Sequence, residues 1–211
     1  MYAETLLDIA MVHADKLIMN AKAGDDNAFN KLVGLWYKRI YNYAYKYFND
    51  HDMATEVSQR TFIAMYRNIS KLDDPDKFKS WLYRIVTNFC HEEERKRVRN
   101  KVVPFTISGK NDSEARQVEG TETTDHQFDP ERSYQRKELS AMIMEALGDL
   151  NNEQRIIVIM KEYEGLKIWE IGEILNIPES TVKTRLYTAL NQLRIIFVDR
   201  NITKESVYYE L

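Results

Sequence analysis

The sequence has little of several residue types, and each shortage excludes a class of protein. One cysteine among 211 residues excludes an intramolecular disulfide and is typical of a reducing cytoplasm. The seven glycines form no phosphate-binding loop, and the four histidines are scattered without metal-ligand spacing. No apolar run approaches the roughly 20 residues that span a membrane. We therefore expect a cytoplasmic protein that is not an enzyme, with no cofactor, no metal and no membrane insertion.

Positive charge is also scarce for a protein that contacts nucleic acid. The chain has 30 Lys and Arg against 33 Asp and Glu, a net charge of −3. Residues 1–99 carry +2, residues 100–135 carry −3, residues 136–198 carry −1, and the remaining residues carry −1. Neither half is a polycation, so the chain alone is not expected to bind DNA tightly. A partner that supplies most of the phosphate contacts would remove this difficulty.

Apolar periodicity predicts an all-α protein. Apolar residues recur at intervals of three and four, as on one helix face, in five segments: residues 4–23, 28–48, 53–69, 78–97 and 134–147. Residues 151–163 contain the apolar run I-I-V-I-M, which predicts a buried segment of a second core. Asp26 is the candidate N-cap of the second helix. A polar loop at residues 70–77 contains an uncovered Leu72. Residues 100–133 are polar and lack periodicity, which predicts a flexible linker between two helical domains.

Residues 167–194 predict a helix-turn-helix. Asn176-Ile177-Pro178 interrupts two amphipathic segments, and Gly172 lies where another helix could approach closely. The second segment buries four positions: Val182, Leu186, Leu193, and Ala189 or Leu190. Its opposite face carries hydroxyl, aromatic, amide and cationic groups: Ser180, Lys183, Thr184, Tyr187, Thr188 and Asn191. Such groups suit base edges and phosphates in a major groove.

The helix at residues 78–97 ends in a strongly basic run. The predicted core stripe is Trp81, Leu82, Ile85 and Phe89, and the predicted exposed residues are Tyr83, Arg84, Thr87 and Asn88. Five basic residues follow within seven positions: Arg95, Lys96, Arg97, Arg99 and Lys101. A charge run is usually only a solvated face. Here it adjoins aromatic and amide side chains, a combination typical of a nucleic-acid groove.

Four motifs occur in one order along the chain: residues 21–29 (A-K-A-G-D-D-N-A-F), 54–62 (A-T-E-V-S-Q-R-T-F), 78–89 (F-K-S-W-L-Y-R-I-V-T-N-F) and 164–186 (E-G-L-K-I-W-E-I-G-E-I-L-N-I-P-E-S-T-V-K-T-R-L). Together they resemble the extracytoplasmic-function sigma factors of the sigma-70 family, over roughly residues 17–198. The resemblance implies four parts: a region-two domain at residues 1–99, a linker at 100–133, a region-four helix-turn-helix domain at 134–198, and a tail at 199–211.

The resemblance also implies residue roles. Four residues would dock on core RNA polymerase: Glu56, Val57, Gln59 and Phe62. The minus-ten promoter element would be contacted by Leu72, Arg84, Asn88, Arg95, Lys96 and Arg97. The minus-thirty-five element would be contacted by Thr181, Lys183, Thr184, Arg185, Tyr187 and Thr188. Asn88 matches a family asparagine that contacts the non-template strand. The family usually has an acidic residue at the position that Arg60 occupies here. Glu93 and Glu94 interrupt the basic run of this chain more than is usual in the family.

The implied partners are core RNA polymerase, promoter DNA and an anti-sigma factor. The implied function is to direct polymerase to promoters and to promote DNA melting during initiation. The acidic linker would either thread the channels of the polymerase or serve only to keep the chain soluble. One alternative remains at this point, a stand-alone helix-turn-helix regulator. Such a protein would bind duplex DNA by itself, usually as a two-fold dimer.

Overall fold

The computed structural model describes residues 15–102 and 130–200, and all regular structure within them is helical. The predicted all-α class is therefore confirmed. The helices are α1 (15–22), α2 (Asp26–Phe48), α3 (His51–Asn68), α4 (Phe78–Val102), α5 (Pro130–Asp149), α6 (Asn152–Val158), α7 (Ile168–Leu175) and α8 (Glu179–Asp199). Most of the predicted linker, the first 14 residues and residues 201–211 lie outside the described residues.

An aspartate one position before each of α2 and α3 caps the N-terminus of the helix. The Asp25 carboxylate accepts hydrogen bonds from the backbone N–H groups of Asn27 and Ala28, at 2.8 and 3.1 Å. The prediction that Asp26 is the cap was wrong, because Asp26 is already the first helical residue. A capping residue needs an extended backbone so that its side chain can reach back to the free N–H groups of the first turn. Asp50 caps α3 in the same way.

The first half of the chain packs α2, α3 and α4 around an aromatic core. The largest buried side chains include Leu32, Ile40, Tyr43 and Tyr47 of α2. In α4 the prediction was partly wrong, because Tyr83 and Thr87 are buried rather than exposed. The Thr87 hydroxyl lies 2.9 Å from the Tyr43 hydroxyl, so these two buried hydroxyls satisfy each other. Helix α4 contacts α2, α3 and α7, and it therefore buries more than one stripe.

The loop between α3 and α4 contains two short 3₁₀ turns, Ile69–Lys71 and Pro75–Lys77. Leu72 lies between them and is buried, so the prediction of an uncovered leucine was wrong. The Lys22 ammonium group donates a hydrogen bond to the Leu72 carbonyl. The side chain of Leu72 therefore anchors the loop to the core instead of projecting from it.

The second half of the chain builds the helix-turn-helix on a buried helix. Asn151 and Gln154 form a reciprocal capping box at the start of α6, which continues into a π-helical turn, Ile159–Tyr163. All five residues of the apolar run 156–160 are buried.

The turn after α7 has Asn176 in the left-handed region at φ 54°. In α8, Ala189 is fully buried and Leu190 is 40% exposed, which resolves the alternative left by the sequence.

The two halves of the chain pack against each other. The Arg155 guanidinium donates to the carbonyl oxygen of Tyr47 at 2.8 Å, and it also donates to three carbonyls of its own half, those of Leu147, Gly148 and Leu150.

Two further contacts join the halves. The Tyr83 hydroxyl donates to the Glu164 carboxylate. The Lys46 ammonium group lies 4.7 Å from the centre of the Tyr163 ring. Polar and cation–π contacts thus join α2 and α4 to the segment before α7.

Candidate nucleic-acid interface

The outer face of α8 presents the groups that the sequence predicted for base and phosphate contacts. Lys183, Thr184, Tyr187 and Thr188 are exposed, and Tyr187, at 71%, is the most accessible large hydrophobic residue of the described part of the chain. The two threonine hydroxyls donate to carbonyls one turn earlier, each at 2.9 Å. These hydroxyls keep lone pairs that can accept hydrogen bonds from base amino groups. Thr181 is half-buried at the start of the same helix.

Arg185 has a protein partner that the sequence did not indicate. Its guanidinium lies 2.8 Å from the Glu153 carboxylate of α6. Both side chains remain partly accessible, and exposed pairs of this kind contribute about 0–1 kcal/mol. A phosphate can therefore compete for Arg185 at modest cost. Nothing in the pattern around Glu153 predicts this contact, because the two residues belong to different helices.

Helix α4 presents a second polar surface. Arg84 and Asn88 are exposed and lie one helical turn apart. Arg95 and Arg97 are exposed further along, and the Arg97 guanidinium carbon lies 6.0 Å from the centre of the Phe48 ring. Arg84 also contacts the other half of the chain, since its guanidinium donates to the Glu173 carbonyl of α7 at 2.7 Å.

The acidic residues inside the basic run of α4 are paired. The Arg60 guanidinium of α3 binds Glu92 at 2.7 Å and also binds Glu93, and Lys96 lies 3.0 and 2.7 Å from the same two carboxylates. Desolvation lowers the pKa of Arg60, but hydrogen bonds to Glu92 and Glu93 outweigh it and raise that pKa overall. Hydrogen bonds from Lys96 and then Arg60 lower the pKa of Glu92. The network therefore favours the ionised forms of Arg60 and Glu92.

The four residues assigned to polymerase docking divide into two pairs. Glu56 and Gln59 are exposed on α3, whereas Val57 and Phe62 are buried in the core. A residue whose side chain is buried supports the helix and does not offer its side chain to a partner. The sequence did not single out Ile63 and Tyr66, which are 52% and 58% exposed on the same helix. Exposed large apolar side chains mark protein contacts when they cluster, and these two lie three positions apart on α3.

The described residues contain neither a metal-ligand cluster nor a membrane-spanning helix. No group of three or more His, Cys, Asp or Glu side chains is arranged there to hold a metal ion. Across residues 15–102 and 130–200, no helix is long and apolar enough to cross a membrane.

Family models match both halves of the chain. The model described as Sigma-70 region 2 matches residues 32–100, and the model described as Sigma-70, region 4 matches residues 140–193. The ECF RNA polymerase sigma factor SigW of Bacillus subtilis (strain 168) is 33% identical over 179 residues, covering 85% of this chain and 94% of SigW. The chain belongs to the extracytoplasmic-function sigma factors of the sigma-70 family. The predicted family is thus confirmed.

Two solved structures have a similar fold. CnrH, in complex with the cytosolic domain of CnrY, matches with a TM-score of 0.63 and 20% identity over 89% of this chain and 98% of CnrH. The sigma factor RpoE, in complex with the anti-sigma factor NepR from Bartonella quintana, matches with a TM-score of 0.59 and 20% identity over 80% of this chain and 96% of that chain.

Family membership settles the choice between the two functions that the sequence left open. The chain is an RNA polymerase sigma factor, which binds core polymerase and promoter DNA and acts in transcription initiation. The alternative of a stand-alone helix-turn-helix regulator is not supported. The weak net charge is consistent with this result, because a chain that binds promoter DNA together with core polymerase does not have to supply every phosphate contact itself.

Proposed function

We propose that this sigma factor contacts promoter DNA through two surfaces. The exposed face of α8, with Lys183, Thr184, Tyr187 and Thr188, binds the minus-thirty-five element, together with Thr181 and Arg185. The exposed residues of α4 bind the minus-ten element through the Asn88 amide and through the arginines and lysine of that helix: Arg84, Arg95, Lys96 and Arg97. The observation that carries this proposal is the accessible polar face of α8 on the second helix of a helix-turn-helix. Leu72 supports the loop that adjoins the minus-ten surface.

We further propose that the exposed part of α3 docks on core RNA polymerase. Glu56 and Gln59 supply polar contacts, and Ile63 and Tyr66 supply apolar area beside them. Val57 and Phe62 hold the helix in place from the core side. Because apolar residues are left uncovered in the free chain, the same half also suits an inhibitory partner. The fold of RpoE in its complex with the anti-sigma factor NepR supports the proposal that an anti-sigma factor binds this chain as well.

The proposed division of the chain follows the sequence boundaries: a polymerase and minus-ten domain at residues 1–99, a linker at 100–133, a minus-thirty-five domain at 134–198 and a tail at 199–211. The protein acts where the polymerase acts, in the cytoplasm, and it has no catalytic role of its own. Binding and positioning of DNA and polymerase account for its whole activity.

Run-off transcription with core polymerase from the same organism tests this proposal. Genomic fragments serve as template, and reactions are compared with and without the chain. We expect specific transcripts only when the chain is present, and promoter footprints only when both proteins are present. A footprint on duplex promoter that is equally strong without polymerase would contradict the proposed division of labour.

A matched pair of variants tests the minus-thirty-five surface. Tyr187→Ala and Thr188→Ala alter exposed side chains, so both variants should fold normally. We expect each to reduce transcription from selected promoters and to change sequence preference at minus-thirty-five positions only. The control is Arg194→Ala, a truncation of another exposed residue of α8 that lies outside the proposed contact set. An equal loss in all three variants would contradict a specific role for this face.

A further inference from the structure

Arg60 joins the helix proposed to dock on polymerase to the helix proposed to hold the promoter. It lies on α3, and its two terminal guanidinium nitrogens bind two consecutive carboxylates of α4, Glu92 and Glu93. The guanidinium carbon also lies 4.4 Å from the centre of the Phe89 ring, one turn earlier on α4. A planar guanidinium that both stacks on a ring and binds carboxylates is held in one orientation.

One of the two α4 carboxylates that Arg60 binds is nearly buried. The Glu93 side chain is only 9% exposed, and it is bound by Arg60 and by Lys96. A buried carboxylate without a cationic partner is unfavourable, and removing one member of such a pair leaves an uncompensated charge. Arg60 therefore supplies one of the two cations that compensate the Glu93 carboxylate, and it does not present a free cation to solvent.

The charge of the promoter-facing end of α4 depends on this contact. Residues 92–99 contain three acidic and four basic residues, a net charge of +1, and Arg60 raises the local net charge to +2. Without Arg60, Glu92 and Glu93 share Lys96 alone and lie among the cations proposed to hold promoter phosphates. Like charges near phosphates oppose binding, and the effect depends on salt.

We propose that Arg60 is a positioning residue for promoter binding and is not a polymerase contact. Its guanidinium holds the end of α4 against α3 and keeps Glu92 and Glu93 paired, so that Arg95 and Arg97 act on the promoter without opposing charge. This inference rests on the proposed contact between α4 and the minus-ten element.

The test is an exchange of charges in the full chain, assayed as holoenzyme. Arg60→Glu should weaken promoter binding by about tenfold near 0.1 M salt, because the local charge changes by two units beside the phosphates. Adding Glu93→Arg restores an α3–α4 ion pair and should return promoter affinity to within about threefold of the wild type. Affinity for core polymerase should not change in either variant. Thermal melts of both proteins verify that they fold.

Arg67→Glu is the matched control, because Arg67 is an exposed arginine of the same helix and contacts no carboxylate among the described ion pairs. Glu93→Arg should change the promoter affinity of Arg67→Glu by no more than it changes that of the wild type. The proposal is overturned if Arg60→Glu lowers affinity for core polymerase and Glu93→Arg fails to restore it, since Arg60 would then contact polymerase. It is equally overturned if promoter affinity and its salt dependence are unchanged by Arg60→Glu.

The double variant Arg95→Ala with Arg97→Ala separates this inference from the proposed function beneath it. If that variant weakens promoter binding and Arg60→Glu does not, only the positioning role is wrong. If both leave promoter binding unchanged, α4 does not hold the promoter, and both proposals fail. Loss in both, with rescue of Arg60→Glu by Glu93→Arg, supports both.

Discussion

Asn88 is the residue on which the minus-ten proposal can be tested most directly. Its side chain is exposed, so truncation leaves no cavity and no unpaired buried group. We expect Asn88→Ala to slow promoter opening by about 10- to 100-fold, the loss of roughly 1–3 kcal/mol that one specific base contact provides. Binding to core polymerase should be unaffected. Permanganate footprinting of the melted strand, together with a polymerase-binding assay, measures the two effects separately.

A substitution at the adjacent Thr87 should lower stability and leave promoter opening unchanged, the reverse of the result expected for Asn88→Ala. Thr87→Val keeps the shape of the side chain but leaves the buried Tyr43 hydroxyl without its partner, so stability should fall by about 1–3 kcal/mol. Promoter opening by the folded fraction should stay near that of the wild type. If Asn88→Ala instead lowers stability and reduces polymerase binding and promoter opening equally, Asn88 is a structural residue.

His91 predicts a pH dependence of stability. Burial lowers the pKa of His91 below its ordinary value of 6.5, and repulsion from Arg95 adds to the effect. Its buried Nε2 atom has no hydrogen-bond partner among the described residues. The unfolded chain therefore binds a proton at this site more readily than the folded chain, so folding stability falls as the pH drops below about 6.5.

His91→Gln should remove this part of the acid sensitivity. Urea unfolding between pH 7.5 and 5, at intervals of about half a unit, measures the free energy of unfolding of both proteins. The wild type should lose more stability than His91→Gln over the acidic part of this range. Parallel curves for the two proteins would show that His91 titrates in the same way folded and unfolded.

Within the helix-turn-helix, the turn between α7 and α8 leaves little room for a side chain at Gly172. A Cβ atom at this position would lie 3.0 Å from the Ile177 carbonyl oxygen, in the turn that joins α7 to α8. The sequence predicted a close approach by another helix, but the nearest atom belongs to the turn, and the first residue of α8, Glu179, lies within 4 Å. Alanine favours a helix over glycine by about 1 kcal/mol, but here the backbone of the turn would have to move. We expect Gly172→Ala to destabilise the fold by about 1 kcal/mol, as is typical of local strain.

Gly34 is the matched control for this prediction. It lies inside α2, and a Cβ atom there would meet nothing within 4 Å. Gly34→Ala should raise the free energy of unfolding by about 0.5–1 kcal/mol, because only the helix propensity changes. Thermal or urea unfolding of the two variants gives the comparison. Stabilisation by Gly172→Ala of the same size would mean that the turn relaxes freely.

Arg155 links the two halves at the scale of the whole molecule. Four carbonyl oxygens accept from its guanidinium, and one of them, that of Tyr47, belongs to the first half. Arg155→Ala should lower stability by about 2–3 kcal/mol, as hydrogen bonds to a charged donor are lost. It should also separate the halves, seen as a larger radius of gyration in X-ray scattering and a longer distance between dyes on α2 and α6. Arg194→Ala should change neither quantity.

In the packed arrangement of the two halves, Arg84 is already bound to α7. The Arg84 guanidinium binds the Glu173 carbonyl of α7, so Arg84 must release this hydrogen bond before it can bind a phosphate. One hydrogen bond to an exposed charged group is weak enough for a phosphate to replace it. Tyr83, which is buried and bound to Glu164, has no such freedom and acts in packing.

The sequence alone determined the helices, the two halves, the family and the outward face of α8. These follow from local rules: apolar residues recur with the helical period, proline ends a helix, and motifs are read in order along the chain. Thr184, Tyr187 and Thr188 were correctly placed outside because α8 buries a single stripe, so the period of one helix is sufficient to orient it.

Only the tertiary structure decided which residues of the other helices are available for contact. Helix α4 packs on three neighbours, so its own period could not show that Tyr83 and Thr87 are buried. The partners of Arg60, Arg155 and Arg185 lie on other helices, and side-chain pairs distant in sequence leave no periodic signal. What these arginines do therefore depends on which helices the fold brings together, a property of packing that no single segment contains.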